Sequence, residues 1–222
     1  MKARFWHERW ESNQLGFHQS EVNALLREHW PRLGAPAGGS VFVPLCGKSL
    51  DMRWLREAGH GVVGVEISPI AIADFFTEAG IQAIRTTEGD FERSVGGGFE
   101  LYCGDFFAFE KSHLADVTAV YDRASLIALP EEIRARYAAH MIEILPDPVS
   151  VLLITIEYDQ ARMDGPPHSV PPQEVERLFG SAFSIEQLWA SGAVAPTDRF
   201  RERGLDLWSE TVWRLSRGHA RR

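Results

Sequence analysis

Cysteine is scarce in this 222-residue chain: only Cys46 and Cys103 are present, too few for a disulfide framework. Neither joins any of the eight histidines in a cluster with zinc-ligand spacing, so two reduced thiols and no metal are expected. Positive charge is also in short supply. Lys and Arg number 23 against 31 Asp and Glu, a formal charge of -8, whereas a non-specific grip on a phosphate backbone needs clustered basic side chains. Nucleic acid is therefore not an expected partner. Long apolar runs are missing too. The opening MKARFWHERWESN lacks the roughly 7 to 15 consecutive apolar residues of a secretory signal, and nothing later reaches the roughly 20 of a membrane span. A cytoplasmic protein, away from membranes, is the expectation. Internal repeats and low-complexity tracts are absent as well, which argues against solenoid architectures.

What remains, with 45% hydrophobic and 24% charged residues, suits one globular domain with a full core, expected to be monomeric. Within residues 20–31, Val22, Leu25, Leu26 and Trp30 recur at helical spacing, predicting an amphipathic helix with Ser20 as its N-cap. A Gly/Pro-rich stretch, LGAPAGGS, follows. The expected division is a helical arm over 1–35, a body over 40–216 and a frayed basic tail over 217–222.

The body alternates. VFVPLC, HGVVGVEI, FELYCG, VTAVYDR and VSVLLITIEY read as buried strands, while KSLDMRWLREAG, SPIAIADFFTEAG and EEIRARYAAHMIEIL read as helices, the first two ending at Gly59 and Gly80. FSIEQLWA and GLDLWSETVWRL add a closing antiparallel pair. The prediction is an α/β fold with a mostly parallel seven-stranded sheet and helices on both faces. Ligands of such folds bind beyond the C-terminal strand ends, which directs attention to residues 45–49, 66–69, 104–107 and 122–125.

The first strand runs into Pro44-Leu45-Cys46-Gly47-Lys48-Ser49 and then a helix. Gly47-Lys48-Ser49 looks like the end of a Walker A loop, but that motif needs a glycine where Phe42 stands inside the strand. The turn also has a single glycine where a dinucleotide fingerprint needs G-x-G-x-x-G. A nucleotide-like ligand without phosphate, such as S-adenosylmethionine, asks less of this loop. Glu66 ends the second strand nineteen positions after Gly47, near the spacing at which an acid accepts from ribose hydroxyls. Its competing role, capping the next helix, is already filled by Ser68 ahead of Pro69.

Three further places carry weaker signals. Gly104-Asp105-Phe106-Phe107 follows the third strand, where an aromatic beside an acid could hold an adenine. Asp122-Arg123 closes the fourth, and Arg123 could pair with a carboxylate or an anionic sulfur there or simply make a surface ion pair. Trp6 and Trp10 share a helical face, as core packing or as a lid.

Taken together, FWHERW, GFHQ, PLCGKS, GVVGVEIS, YDRASLIALP and, over residues 165–180, GPPHSVPPQEVERLFG make the chain resemble the thiopurine S-methyltransferase family from Trp6 to about Leu215. The resemblance implies a Rossmann-like class I S-adenosylmethionine-dependent methyltransferase. It implies cofactor contacts at Trp10, Leu45, Glu66 and Arg123, with Phe106 near the adenine. It also implies a substrate pocket under the arm, including Phe17, and a second arginine best matched by Arg199, with Arg201 and Arg203 as competing matches. Arg123 and Arg199 are the expected catalytic pair, favouring an anionic sulfur or selenium nucleophile. Expected acceptors are thiopurines and aromatic thiols, with selenium and tellurium compounds beside them. Two alternatives remain: an NAD-dependent oxidoreductase and a non-catalytic nucleotide-binding module on the same fold.

Overall fold

The computed structural model describes residues 3–14 and 18–218. Phe17 and residues 219–222 of the basic tail lie outside the described residues. In chain order, α1 (Ala3–Glu11) and α2 (Ala24–Leu33) precede β1 (Ser40–Pro44), α3 (Leu50–Glu57), β2 (Gly61–Glu66) and α4 (Pro69–Ala79). Next come β3 (Ile84–Glu88), β4 (Phe91–Gly96), β5 (Phe99–Cys103), β6 (Val117–Arg123), α5 (Glu131–Ile144) and β7 (Val149–Glu157). The chain finishes with α6 (Pro172–Phe179), β8 (Ser184–Ala190), α7 (Asp198–Arg201) and β9 (Ser209–Arg217).

All strands join one sheet in the order β3-β4-β5-β2-β1-β6-β7-β9-β8. The central five, β5-β2-β1-β6-β7, are parallel, and both flanks are antiparallel. The seven expected strands are present, including the closing β8–β9 pair, but the sheet has nine. The two extra strands form the β3–β4 hairpin, turned at Gly89-Asp90 and added to the edge beside β5. Its outer strand, Ile-Arg-Thr-Thr-Glu, is exposed at every position, so it carries none of the inside-outside alternation by which a strand is recognised.

Alternate residues of the central strands feed two cores. Phe42, Val63, Val120 and Val151 pack with Tyr137 and Met141 of α5 and with Val175 and Leu178 of α6. Val41, Val43, Val62 and Leu152 pack with Leu26 and Trp30 of α2, Met52 and Leu55 of α3, and Phe75 of α4. This doubly covered sheet is why β1, β2, β6 and β7 read as continuous apolar runs.

Local signals start most helices where expected. The Ser49 hydroxyl accepts from the Asp51 N–H at 3.2 Å to begin α3, and Ser68 with Pro69 begins α4, which ends on left-handed Gly80. For α2 the expected cap is corrected: Asn23, not Ser20, accepts from the N–H groups of Leu25 (2.9 Å) and Leu26 (3.3 Å), an Asx geometry suited to two orphan donors at once. The tail boundary is corrected as well. Arg217 belongs to β9, and its guanidinium donates to the Ile142 carbonyl at 2.8 Å and to that of Leu145, neutralising the negative end of α5.

Candidate active site

The chain winds outward from β1 through β2 to β5 in one direction and through β6 to β7 in the other, so the crevice between β1 and β6 is the switch point where such folds bind ligands. The loops leaving these two strands are held in unusual backbone. Leu45 (φ 45°) and Gly47 (φ 52°) follow β1, and Ala124 (φ 65°) follows β6. Left-handed backbone costs a non-glycine residue on the order of 1–2 kcal/mol, and such strain gathers at functional sites. The two loops are tied together by the Ser125 hydroxyl, which donates to the Pro44 carbonyl at 2.6 Å.

Glu66 organises the β1–β2 end of the crevice. It is buried at 5% exposure; Oε2 accepts from the Gly47 N–H and Oε1 from the Ser68 N–H, each at 2.9 Å. The carboxylate therefore anchors both the β1 loop and the start of α4, while each oxygen keeps a lone pair for another donor. Burial raises its pKa, and the backbone donors oppose that rise. The Trp10 indole lies over Gly47, so that a Cβ there would meet the ring at 3.3 Å. Lys48 reaches away to α4, bonding Asp74 at 3.0 Å and Glu78 at 2.6 Å, and so fastens the loop from its far side.

One cavity gathers Trp10, Leu45, Glu66, Arg123 and Arg199, bringing together five of the residues singled out in the sequence. Strand register explains its floor. Arg123 of β6 sits opposite Ile154 of β7, Ile156 of β7 opposite Glu210 of β9, and directly opposed residues share a sheet face. The cavity thus crosses the sheet from Glu66 on β2 to Glu210 on β9, with Arg123 between. Its far end is walled by Pro166, Pro167, Phe200 and Trp208.

Among the three candidate arginines near the last strand, the structure brings only Arg199 to this cavity. Arg201 pairs with Asp198, and Arg203 donates to the carbonyls of Asp164 and Pro166, holding the loop that forms the apolar wall. Among the described residues, no carboxylate pairs with either Arg123 or Arg199. Partial burial, with Arg203 and Arg9 nearby, pulls the Arg199 pKa down, the condition of a cation that gains from an anion.

Phe106 is not brought to the cavity. Its ring is buried and stacks on Tyr137 at 4.8 Å, because Asp105 turns the chain into a short helical turn by accepting from the Phe107 N–H. The lining residues to which the sequence reading gave no role include Arg9, His18 and Glu210. His18 lies inside the quoted GFHQ motif; burial, followed by the charge of Lys48, lowers its pKa. Glu210 had no local signal, since only the β7–β9 register shows which way it faces.

The sheet order and the acid at the end of β2 define the fold of S-adenosylmethionine-dependent methyltransferases. Two solved structures share it: a methyltransferase of this kind from Anabaena variabilis (TM-score 0.63, 12% identity, 97% of this chain and 94% of that one), and the Burkholderia thailandensis 1,6-didemethyltoxoflavin-N1-methyltransferase with bound 1,6-didemethyltoxoflavin and S-adenosylhomocysteine (TM-score 0.61, 15% identity, 96% and 87%). In sequence, the family model for thiopurine S-methyltransferase matches residues 1–218. Thiopurine S-methyltransferases of Pseudomonas fluorescens and Methylococcus capsulatus are 47% and 48% identical, each over 97% of this chain and over 99% and 97% of their own lengths. The chain belongs to the thiopurine S-methyltransferase family and is an S-adenosylmethionine-dependent methyltransferase. The oxidoreductase and non-catalytic alternatives are not favoured.

Proposed function

We propose that this enzyme methylates the sulfur of small aromatic and heteroaromatic thiols, thiopurines among them, with the cofactor at the β1–β2 end of the cavity and the acceptor at the β7–β9 end. The observation that carries this reading is the single cavity that joins Glu66 to Arg199 through Arg123. Its residues fit S-adenosylmethionine: a buried carboxylate with spare lone pairs suits ribose hydroxyls, one close-approach glycine suits a ligand without phosphate, and the Trp10 and Leu45 side chains supply apolar cover. When bound, the cofactor supplies a methyl group already activated on a sulfonium sulfur.

The protein's task is then to position, to exclude water and to manage charge. Ile154, Ile156, Pro166 and Trp208 offer an apolar slot for a flat ring. Arg123, central and without a carboxylate partner among the described residues, serves the cofactor carboxylate and the neighbouring nucleophile. Arg199, at the rim, favours the thiolate over the thiol because a nearby cation stabilises the charged form. Selenolates form more readily than thiolates, so selenium acceptors fit the same slot, with tellurium analogues beside them. Phe106 has no part in this assignment.

Release of S-adenosylhomocysteine, followed over a panel of aromatic thiols, aliphatic thiols and reduced selenium compounds, tests the proposal. Release with aromatic thiols at least about tenfold faster than with aliphatic ones is expected from the apolar slot. No release with any sulfur or selenium compound contradicts it.

A further inference from the structure

Glu210 is the second carboxylate on the cavity floor and differs from Glu66 in one respect. Both oxygens of Glu66 are engaged by backbone N–H groups, whereas among the described residues the Glu210 carboxylate has neither a hydrogen bond nor an ion pair. Its main chain is pinned on two sides: its N–H donates to the Ser191 hydroxyl and its carbonyl accepts from the Ser191 N–H, each at 3.0 Å, while β9 pairs it with Ile156. The backbone is thus fixed with the side chain on the cavity face, three strands beyond β1 and beside the apolar slot.

A half-buried carboxylate on the cavity face, with no donor among the described residues, keeps its acceptor capacity open to a ligand. Burial raises the Glu210 pKa, and the charge of Arg123 opposes that rise. The arginines at this end, Arg123 and Arg199, suit an anionic or polarised sulfur. What a neighbouring carboxylate adds is a preference for a donor on the same molecule.

We infer that Glu210 determines acceptor specificity by accepting a hydrogen bond from a ring N–H adjacent to the sulfur that is methylated. The favoured acceptors are then heteroaromatic thiones, bound as the neutral thioamide with sulfur and N–H side by side; methyl transfer to that sulfur makes the ring N–H acidic, and its proton leaves through the hydrogen bond to the Glu210 carboxylate. The inference rests on the proposed acceptor site and gives it a chemical class. A site built around a polar contact discriminates strongly against an analogue that lacks the group, because the protein's own polar atom is then left unpaired.

The test is calorimetric binding to protein saturated with S-adenosylhomocysteine, which cannot turn over. Pyridine-2-thione, N-methylpyridine-2-thione and thiophenol are the probes. The wild type is expected to bind pyridine-2-thione at least about tenfold more tightly than its N-methyl derivative. That ratio is expected to fall to within about twofold in Glu210→Ala and to return in Glu210→Gln, whose amide oxygen still accepts. Unchanged affinity for S-adenosylhomocysteine shows that the variants keep the fold. An N–H preference that survives Glu210→Ala overturns the inference, as does equal weakening of all three probes, which would mean that Glu210 acts only through Arg123. A wild type that binds S-adenosylhomocysteine but none of the three probes overturns the acceptor site itself, and the inference with it.

Discussion

Asp122 lies one position before Arg123 but faces the opposite core, where the Tyr137 hydroxyl donates to it at 2.8 Å and the Leu126 N–H at 3.2 Å. It holds the β6 loop in place from beneath the cavity. Burial raises its pKa to about 6 from 3.8, against the pull of these donors. Because the folded pKa is the higher one, the neutral form is favoured in the fold. This contribution to stability is complete below about pH 4, declines as pH rises towards about 6, and is flat above that. A shift of this size corresponds to at most about 3 kcal/mol. Between pH 4 and 7 the melting temperature of the wild type is expected to fall relative to that of Asp122→Asn as pH rises, because the variant lacks this downward component; a difference that stays constant with pH contradicts the assignment. At this scale legibility was uneven. Glu66 and Arg123 were legible from their places after strands, and Trp10, Leu45 and Arg199 only through family resemblance. Glu210 was not legible, because the facing of a strand-end residue depends on register with a partner distant in sequence.

The loop after β1 shows what elements add. The sequence shows one glycine in PLCGKS, and the structure shows why it is glycine: Gly47 has left-handed backbone and carries the Trp10 indole at a distance a Cβ would crowd. Gly47→Ala is expected to destabilise the fold by about 1–2 kcal/mol and to weaken S-adenosylmethionine binding by roughly tenfold or more, as the displaced indole no longer covers the ligand. A variant that binds the cofactor like the wild type contradicts the role given to this contact. Strongly apolar elements such as β1, β2, β6 and β7 were legible because both faces are covered. The β3–β4 hairpin was not, because its outer strand exposes every residue and is recruited by backbone pairing to β5 rather than by burial. The start of α2 was misplaced by three residues because Ser20 and Asn23 are both good caps, and only the chain path chooses between them; the Asn23 N–H is fixed by the Asp51 carboxylate at 2.8 Å.

In the whole molecule, one carboxylate ties the α2 root to the cavity floor. Asp51 accepts from the Asn23 N–H through one oxygen and from the Tyr121 hydroxyl, at 2.9 Å, through the other, and Tyr121 lines the cavity beside Arg123. The arm, the β1 loop and the β6 loop are thus parts of one enclosure, whose β2 and β9 ends are lined by different residues. The extent of the cavity from β2 to β9 emerges only from the assembled sheet.

The proposed division of this cavity into a cofactor end and an acceptor end is the central claim, and titration of S-adenosylmethionine into wild type, Glu66→Ala and Arg199→Met by calorimetry, each shown to be folded, tests it most directly. The wild type is expected to bind. Glu66→Ala is expected to lose at least about tenfold in affinity, since hydrogen bonds to a charged group contribute roughly 1.5–3 kcal/mol each, whereas Arg199→Met keeps cofactor affinity within about twofold because its site lies beyond Arg123. Absence of binding to the wild type, or equal loss in both variants, contradicts a cavity with separate cofactor and acceptor ends.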